Sequence, residues 1–179
     1  MRTDKNMPYY LAAAAVFVLL KFAFAAAGTE DLVFLLAPTD KLTGWLTGSR
    51  SVFFSERGFY HGTLNVLIGK SCSGYNFLVL CFLCFYYLAV KYFDKPLYKV
   101  LALAVSLTGA YLLTIFVNTS RIFASIVVQN QTKNIFPYHR QLVHETVGII
   151  TSLSFLILAY YLTEKFFEYR RRYAQSIQS

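Results

Sequence analysis

Four apolar stretches, about residues 8–27, 73–90, 100–118 and 142–162, decide what this chain can fold into. Each is close to the roughly 20 apolar residues that a helix needs to cross a bilayer. Lipid offers no hydrogen-bond partner to a peptide group, so such a stretch crosses as a helix. The expected class is therefore all-α: a polytopic integral membrane bundle of about four spans in one domain covering 1–179. The first stretch could be a signal peptide, with Ala23-Phe24-Ala25 or Ala25-Ala26-Ala27 at the cut. It is longer than a signal h-region of roughly 7–15 residues, and an uncleaved span is expected.

Residues 28–71 are different. Asp31 to Ala37, Trp45 and Phe53-Phe54 supply apolar groups. Gly44, Gly48, Gly58, Gly62 and Gly69 interrupt them, as do Glu30, Asp40, Arg50, Glu56 and Arg57. No full-length apolar window survives, so an interfacial or re-entrant segment is expected, with a short extended piece between Gly58 and Gly69. Residues 119–141 read as a second loop on the same side. Its first part can continue the third span through Ile122 to Val128, and Pro137 breaks any helix.

A formal net charge of +8 could point to nucleic acid, but most of the excess lies beside apolar runs and reads as orientation charge. The N-terminus, the 91–99 loop and the C-terminal tail together hold nine Lys and Arg in about 31 residues, against seven in about 67 on the other face. The positive-inside rule then puts both termini in the cytoplasm, and the 28–71 and 119–141 segments outside the plasma (inner) membrane. Lys21 reads as a snorkelling residue, or as one that faces the bundle interior near a site.

Chemistry concentrates at Gly69-Lys70-Ser71-Cys72-Ser73-Gly74, a small polar turn running into the second span. Three cysteines, an odd number, leave at least one thiol outside any disulfide. Cys81 and Cys84 lie inside the span and read as small apolar packers. Cys72 stands at its mouth, where Lys70 and a helix N-terminal dipole favour thiolate. Counting at about 1.5 Å per residue, Cys72 lies roughly 28 Å from Lys91. On the same count Arg121 lies roughly 33 Å from Lys99, and His144 roughly 31 Å from Lys165. All three depths match a hydrocarbon thickness of about 30 Å, so the three side chains share one layer on three spans.

Each has a plainer reading. Arg121 alone can anchor lipid phosphate, and His144, beside Glu145, can be a satisfied interfacial histidine. His61 and His139 read as polar-loop residues. A metal site from His139 and His144 lacks further ligands. Together, however, a thiol nucleophile (Cys72), a base (His144) and a permanently charged multiple donor (Arg121) suit acyl transfer.

Three stretches carry a resemblance: Ser71-Cys72-Ser73-Gly74, Asn118-Thr119-Ser120-Arg121-Ile122 and His144-Glu145-Thr146-Val147-Gly148. They resemble the Cys-Ser-Gly, Asn-x-x-Arg-Ile/Val and His-x-x-x-Gly motifs of the exosortase/archaeosortase family of membrane cysteine transpeptidases, in the same order. The length is similar to the small exosortase K type. The resemblance implies Cys72 as nucleophile, His144 as general base and acid, and Arg121 as stabiliser of the oxyanion or thiolate. It implies no cofactor and no metal. The implied partners are exported proteins ending in a short motif, an apolar helix and a basic cluster, together with membrane lipid. Tyr75-Asn76-Phe77 departs from the family, where an apolar residue and Arg often follow. Two other readings stay open: a membrane cysteine protease releasing product to water, and a non-catalytic subunit binding anionic lipid.

Overall fold

The computed structural model describes the backbone of residues 3–132 and 140–176. Side chains are described there except those of residues 3–4, 130, 132, 140–144 and 174. Helix α1 (Thr3–Ala26) leads through a short 3-10 turn to α2 (Val33–Thr47). Three strands follow, β1 (Ser51–Phe54), β2 (Gly58–His61) and β3 (Val66–Ile68). A second 3-10 turn at Lys70–Cys72 then opens the long helices α3 (Tyr75–Tyr92), α4 (Pro96–Thr132) and α5 (Arg140–Ser176). Among the described residues four helices are long and apolar enough to cross a membrane: α1, α3, α4 and α5. The all-α membrane bundle is therefore the architecture, with one small sheet added to it.

Helix α3 is the central post. Val79, Cys81, Phe82, Leu88 and Val90 are wholly buried, whereas α1 and α5 expose apolar faces such as Leu19, Phe22, Ile157 and Leu158. Those exposed faces are what a bilayer solvates. Lipid tails are as apolar as leucine, so burial drives helices together weakly there, and close van der Waals packing decides which faces meet. Helix α4 supplies such a face. Ala102, Ser106, Ala110, Thr114 and Asn118 recur at every fourth position, and each is buried. Small side chains on one stripe let the α3 backbone approach closely. Ala110→Leu is expected to overpack this seam and to lower stability by about 1–3 kcal/mol, read as earlier thermal unfolding in detergent. The polar members of the stripe cause no debt inside the seam where they bond their own helix: Thr114 Oγ1 donates to the Ala110 carbonyl at 2.6 Å.

Helix α2 runs beside α4. Tyr111 Oη donates to the Phe34 carbonyl at 2.8 Å, and the two rings stack with centroids 6.2 Å apart. Tyr111 is a dozen residues from Lys99, roughly 18 Å along the helix, so the start of α2 packs against the middle of α4. The antiparallel sheet has the order β1-β2-β3 and replaces the single extended piece expected between Gly58 and Gly69. The segment 119–141 is less of a loop than expected, because α4 continues to Thr132 and α5 begins at Arg140.

The hairpin is clamped to α2 by a buried polar cluster. His61 Nε2 lies 2.9 Å from Asp40 Oδ1, and Ser49 Oγ lies 2.7 Å from His61 Nδ1. Ser51 Oγ donates to the other Asp40 oxygen at 3.0 Å. His61 is not the polar-loop residue expected; it is fully buried in β2. Serine, histidine and aspartate in a row resemble a hydrolytic relay, but here the imidazole is fully buried, out of a substrate's reach, and the cluster holds structure together. Removing His61 leaves Asp40 Oδ1 buried without its partner, with only Ser51 on the other oxygen. His61→Ala is expected to cost about 3 kcal/mol, seen as a lowered unfolding temperature and faster proteolysis of the 51–68 hairpin.

Candidate functional site: a thiol and a guanidinium in one groove

The route from β3 to α3 positions Cys72. Gly69 starts the turn where a Cβ would meet the Arg57 carbonyl oxygen at 2.5 Å, so only glycine lets the two backbones pass. The Cys72 amide then donates to the Gly69 carbonyl at 2.8 Å, and the Ser73 amide to the Lys70 carbonyl at 3.2 Å. Gly74 turns the chain into α3 with φ +72°, in the left-handed region that favours glycine. A Cβ on it would press on Asn118 Cγ and Thr114 Cγ2 at 3.1 Å. The two glycines that frame the thiol thus bring its turn hard against the Arg57 backbone at one end and α4 at the other.

Asn118 completes the hold. Its Nδ2 donates to the Cys72 carbonyl, and its Oδ1 is buried with no hydrogen-bond partner among the described residues. Three residues further along α4, Arg121 lies in the same groove as Cys72. A Cβ at Gly148 would come within 3.2 Å of Arg121 Cδ and Nε, so glycine on α5 is what leaves the arginine its place. Arg121 Nε is buried and has no hydrogen-bond partner among the described residues.

The groove has a volume of about 1150 Å³. Its polar end carries Lys70, Ser71, Cys72, Arg121 and Glu145. Its other wall is apolar, with Phe77 and Leu80 from α3 and Leu153 and Leu156 from α5. Cys72 is 8% exposed, and Ser71 Oγ lies 3.9 Å from its sulfur. Cys81 is fully enclosed in the α3 core and Cys84 is half-buried, in keeping with the packing role expected of both.

Depth counting therefore brings two of its three residues together, Cys72 and Arg121. The His144 side chain lies outside the described residues. Its position in α5 is one turn before Gly148, the residue that Arg121 packs against. His139 lies outside the described residues altogether, and with it the His139–His144 metal alternative.

Two basic residues have other employment than their charge alone suggests. Lys70 does not simply stand by to favour thiolate at Cys72. Its ammonium donates to the Ala27 carbonyl at 2.6 Å and stands 5.1 Å from the Phe24 ring, so it pins the turn to the end of α1. Lys21, expected foremost to snorkel, donates to Asn76 Oδ1 at 2.9 Å on the groove's rim. Tyr75 adds a bond to the Leu20 carbonyl at 3.0 Å and stacks on Phe24 with centroids 4.6 Å apart. The Tyr75-Asn76 pair thus ties the start of α3 to α1. Neither the bonding role of Asn118 nor the place of Glu145 in the groove is apparent from sequence reasoning; the regular small stripe ending on Asn118 is the available signal.

Chemically, the groove offers a nucleophile at its polar end and a cation that can hold a developing anion. Its long apolar side suits a hydrophobic ligand. Compared with family models, curated proteins and solved structures, the chain matches none.

Proposed function

We propose that this chain is a membrane-embedded cysteine transpeptidase of the exosortase type. It cuts C-terminal sorting signals of exported proteins at the outer surface of the plasma membrane and passes them to a surface acceptor. The observation that carries this reading is one groove holding Cys72 and Arg121 at its polar end and an apolar wall along α3 and α5. A substrate's apolar helix suits that wall, and a peptide bond at the helix end then meets the thiol.

In the proposed reaction His144 takes the Cys72 proton as sulfur attacks the carbonyl carbon. Arg121 holds the resulting oxyanion through its guanidinium, which lines the groove with Cys72. Collapse breaks the C–N bond. The leaving amine takes the proton from His144, and the substrate remains as a thioester on Cys72. An incoming amine, or water, attacks the thioester with His144 again as base and regenerates the thiol. The orientation comes from the Lys and Arg bias, which puts the groove outside and both termini inside.

Purified protein treated with a thiol-reactive probe tests the nucleophile. Cys72 is expected to react faster than Cys81 and Cys84, and Cys72→Ala is expected to leave substrate uncut. Equal reactivity together with intact processing would sink the catalytic reading and favour a lipid-binding subunit. Mass spectrometry of the processed substrate's new C-terminus separates transfer from hydrolysis, since a free carboxylate there means that water is the acceptor.

A further inference from the structure

The groove continues past Cys72 in a direction that the membrane helix of a substrate would not use. Phe77, Leu80, Leu153 and Leu156 line it toward the middle of the spans, while Asn65 and Leu67 line it on the sheet side. A peptide cut at Cys72 has a segment on each side of the bond. If the apolar helix takes the first direction, the residues before the bond must leave by the second.

That exit runs along β3. Among the described residues β3 pairs with β2 alone, in the register Phe59↔Ile68, Tyr60↔Leu67 and His61↔Val66. It is therefore an edge strand, and the backbone groups of such an edge are a ready template for another strand. Its side chains divide as a working edge requires. Ile68 is fully buried in the cluster around Cys72, whereas Leu67 is 43% exposed. Leu67 also lines a second hollow of about 490 Å³ with Phe54, Glu56, Arg57 and Tyr60. One leucine thus stands between two hollows, and together they make a track from the β1–β2 turn to the thiol. The backing is firm: Tyr60 Oη donates to Asn65 Oδ1 at 3.0 Å, and the Asp40–His61 clamp holds β2 to α2.

We infer that β3 binds the substrate segment preceding the cut bond as an added extended strand, with an apolar substrate side chain over Leu67 and the next side chain on the same face, two residues away, in the hollow beside Glu56 and Arg57. The inference rests on the proposed peptide-cleaving function and deepens it. The bound class is an extended peptide, continuous with a membrane helix on its C-terminal side. Main-chain bonds to β3 would align the scissile carbonyl, while Leu67 and the hollow would select sequence.

The test is photo-crosslinking in native membranes from the full-length chain carrying Cys72→Ala, so that substrate stays uncut. The photoreactive residue p-benzoylphenylalanine is placed at position 67, at 80 in the apolar wall, or at 53 on the opposite edge strand. Adducts are expected at 67 and 80 and absent at 53. Peptide mapping is expected to place the position-67 crosslink just before an apolar segment and the position-80 crosslink within it. Adducts at 80 without any at 67 above the level at 53 overturn the strand-addition inference and leave the function standing. Capture of lipid alone at position 67, with peptide at 80, overturns it in the same way. Absence of peptide adducts at both 67 and 80 overturns both. With the crosslinked protein then used as substrate, Leu67→Ala is expected to lower kcat/KM about five- to tenfold with Cys72 labelling unchanged. An unchanged kcat/KM overturns the role given to Leu67.

Discussion

Cells in which Cys72→Ala replaces the native chain are expected to accumulate uncut substrate, with turnover reduced by at least about 10³-fold. In the proposed mechanism the groove's other residues still bind and orient a peptide, but none replaces the sulfur that forms the thioester. Cys72→Ser tests the same point more severely, because hydroxyl and thiol have nearly the same shape while the hydroxyl is far harder to ionise. It is expected to be nearly as inactive as the alanine variant. Both variants should fold, since the carbonyl that Asn118 grips belongs to the backbone of residue 72 and survives either change. Normal detergent stability with lost processing is therefore the expected pair of results. Normal processing by Cys72→Ala would end the cysteine mechanism.

Arg121→Lys separates catalysis from lipid anchoring. A phosphate anchor needs a positive charge near the headgroups, and lysine serves as a point charge almost as well. An oxyanion donor needs a planar fork held at a set angle, which lysine lacks. The proposed mechanism therefore expects Arg121→Lys to lose about 10²- to 10³-fold in kcat/KM, with membrane insertion and Cys72 labelling retained. Activity within a few-fold of the parent would return Arg121 to the role of anchor. A larger residue at Gly148 on α5 would meet the arginine stem at 3.2 Å and shift it by a few tenths of an ångström.

The spans are legible in the sequence because hydropathy over some 20 residues is a strong, additive signal. The shared depth of Cys72 and Arg121 is legible for a related reason. Once a span's far anchor is known, helical rise alone sets height, and both residues do line one groove. Height does not give azimuth, however, and which faces meet is written in the small stripe from Ala102 to Asn118. The 28–71 region is much less legible. Its glycines and mixed charges hide a 15-residue helix that carries Pro38 within it, and three strands of four residues or fewer. Strands that short carry almost no periodicity, and they stand because Asp40 and His61 meet across 21 residues of chain. Lys70 and Lys21 show the same limit. Charge is visible in sequence, but a lysine's long stem lets its partner lie many residues away, as Ala27 and Asn76 do.

Asn118 and Arg121 sit three residues apart on α4, and the first grips the turn that carries Cys72. The spacing between sulfur and guanidinium is thus set mainly within one turn of one rigid helix. When a bilayer thickens or thins, spans respond by tilting. A tilt of α4 carries both groups together, as two tools fixed to one handle. The pairing of the two groups is thereby insulated from the surrounding membrane, while the apolar wall shared by α3 and α5 is left to adapt to it.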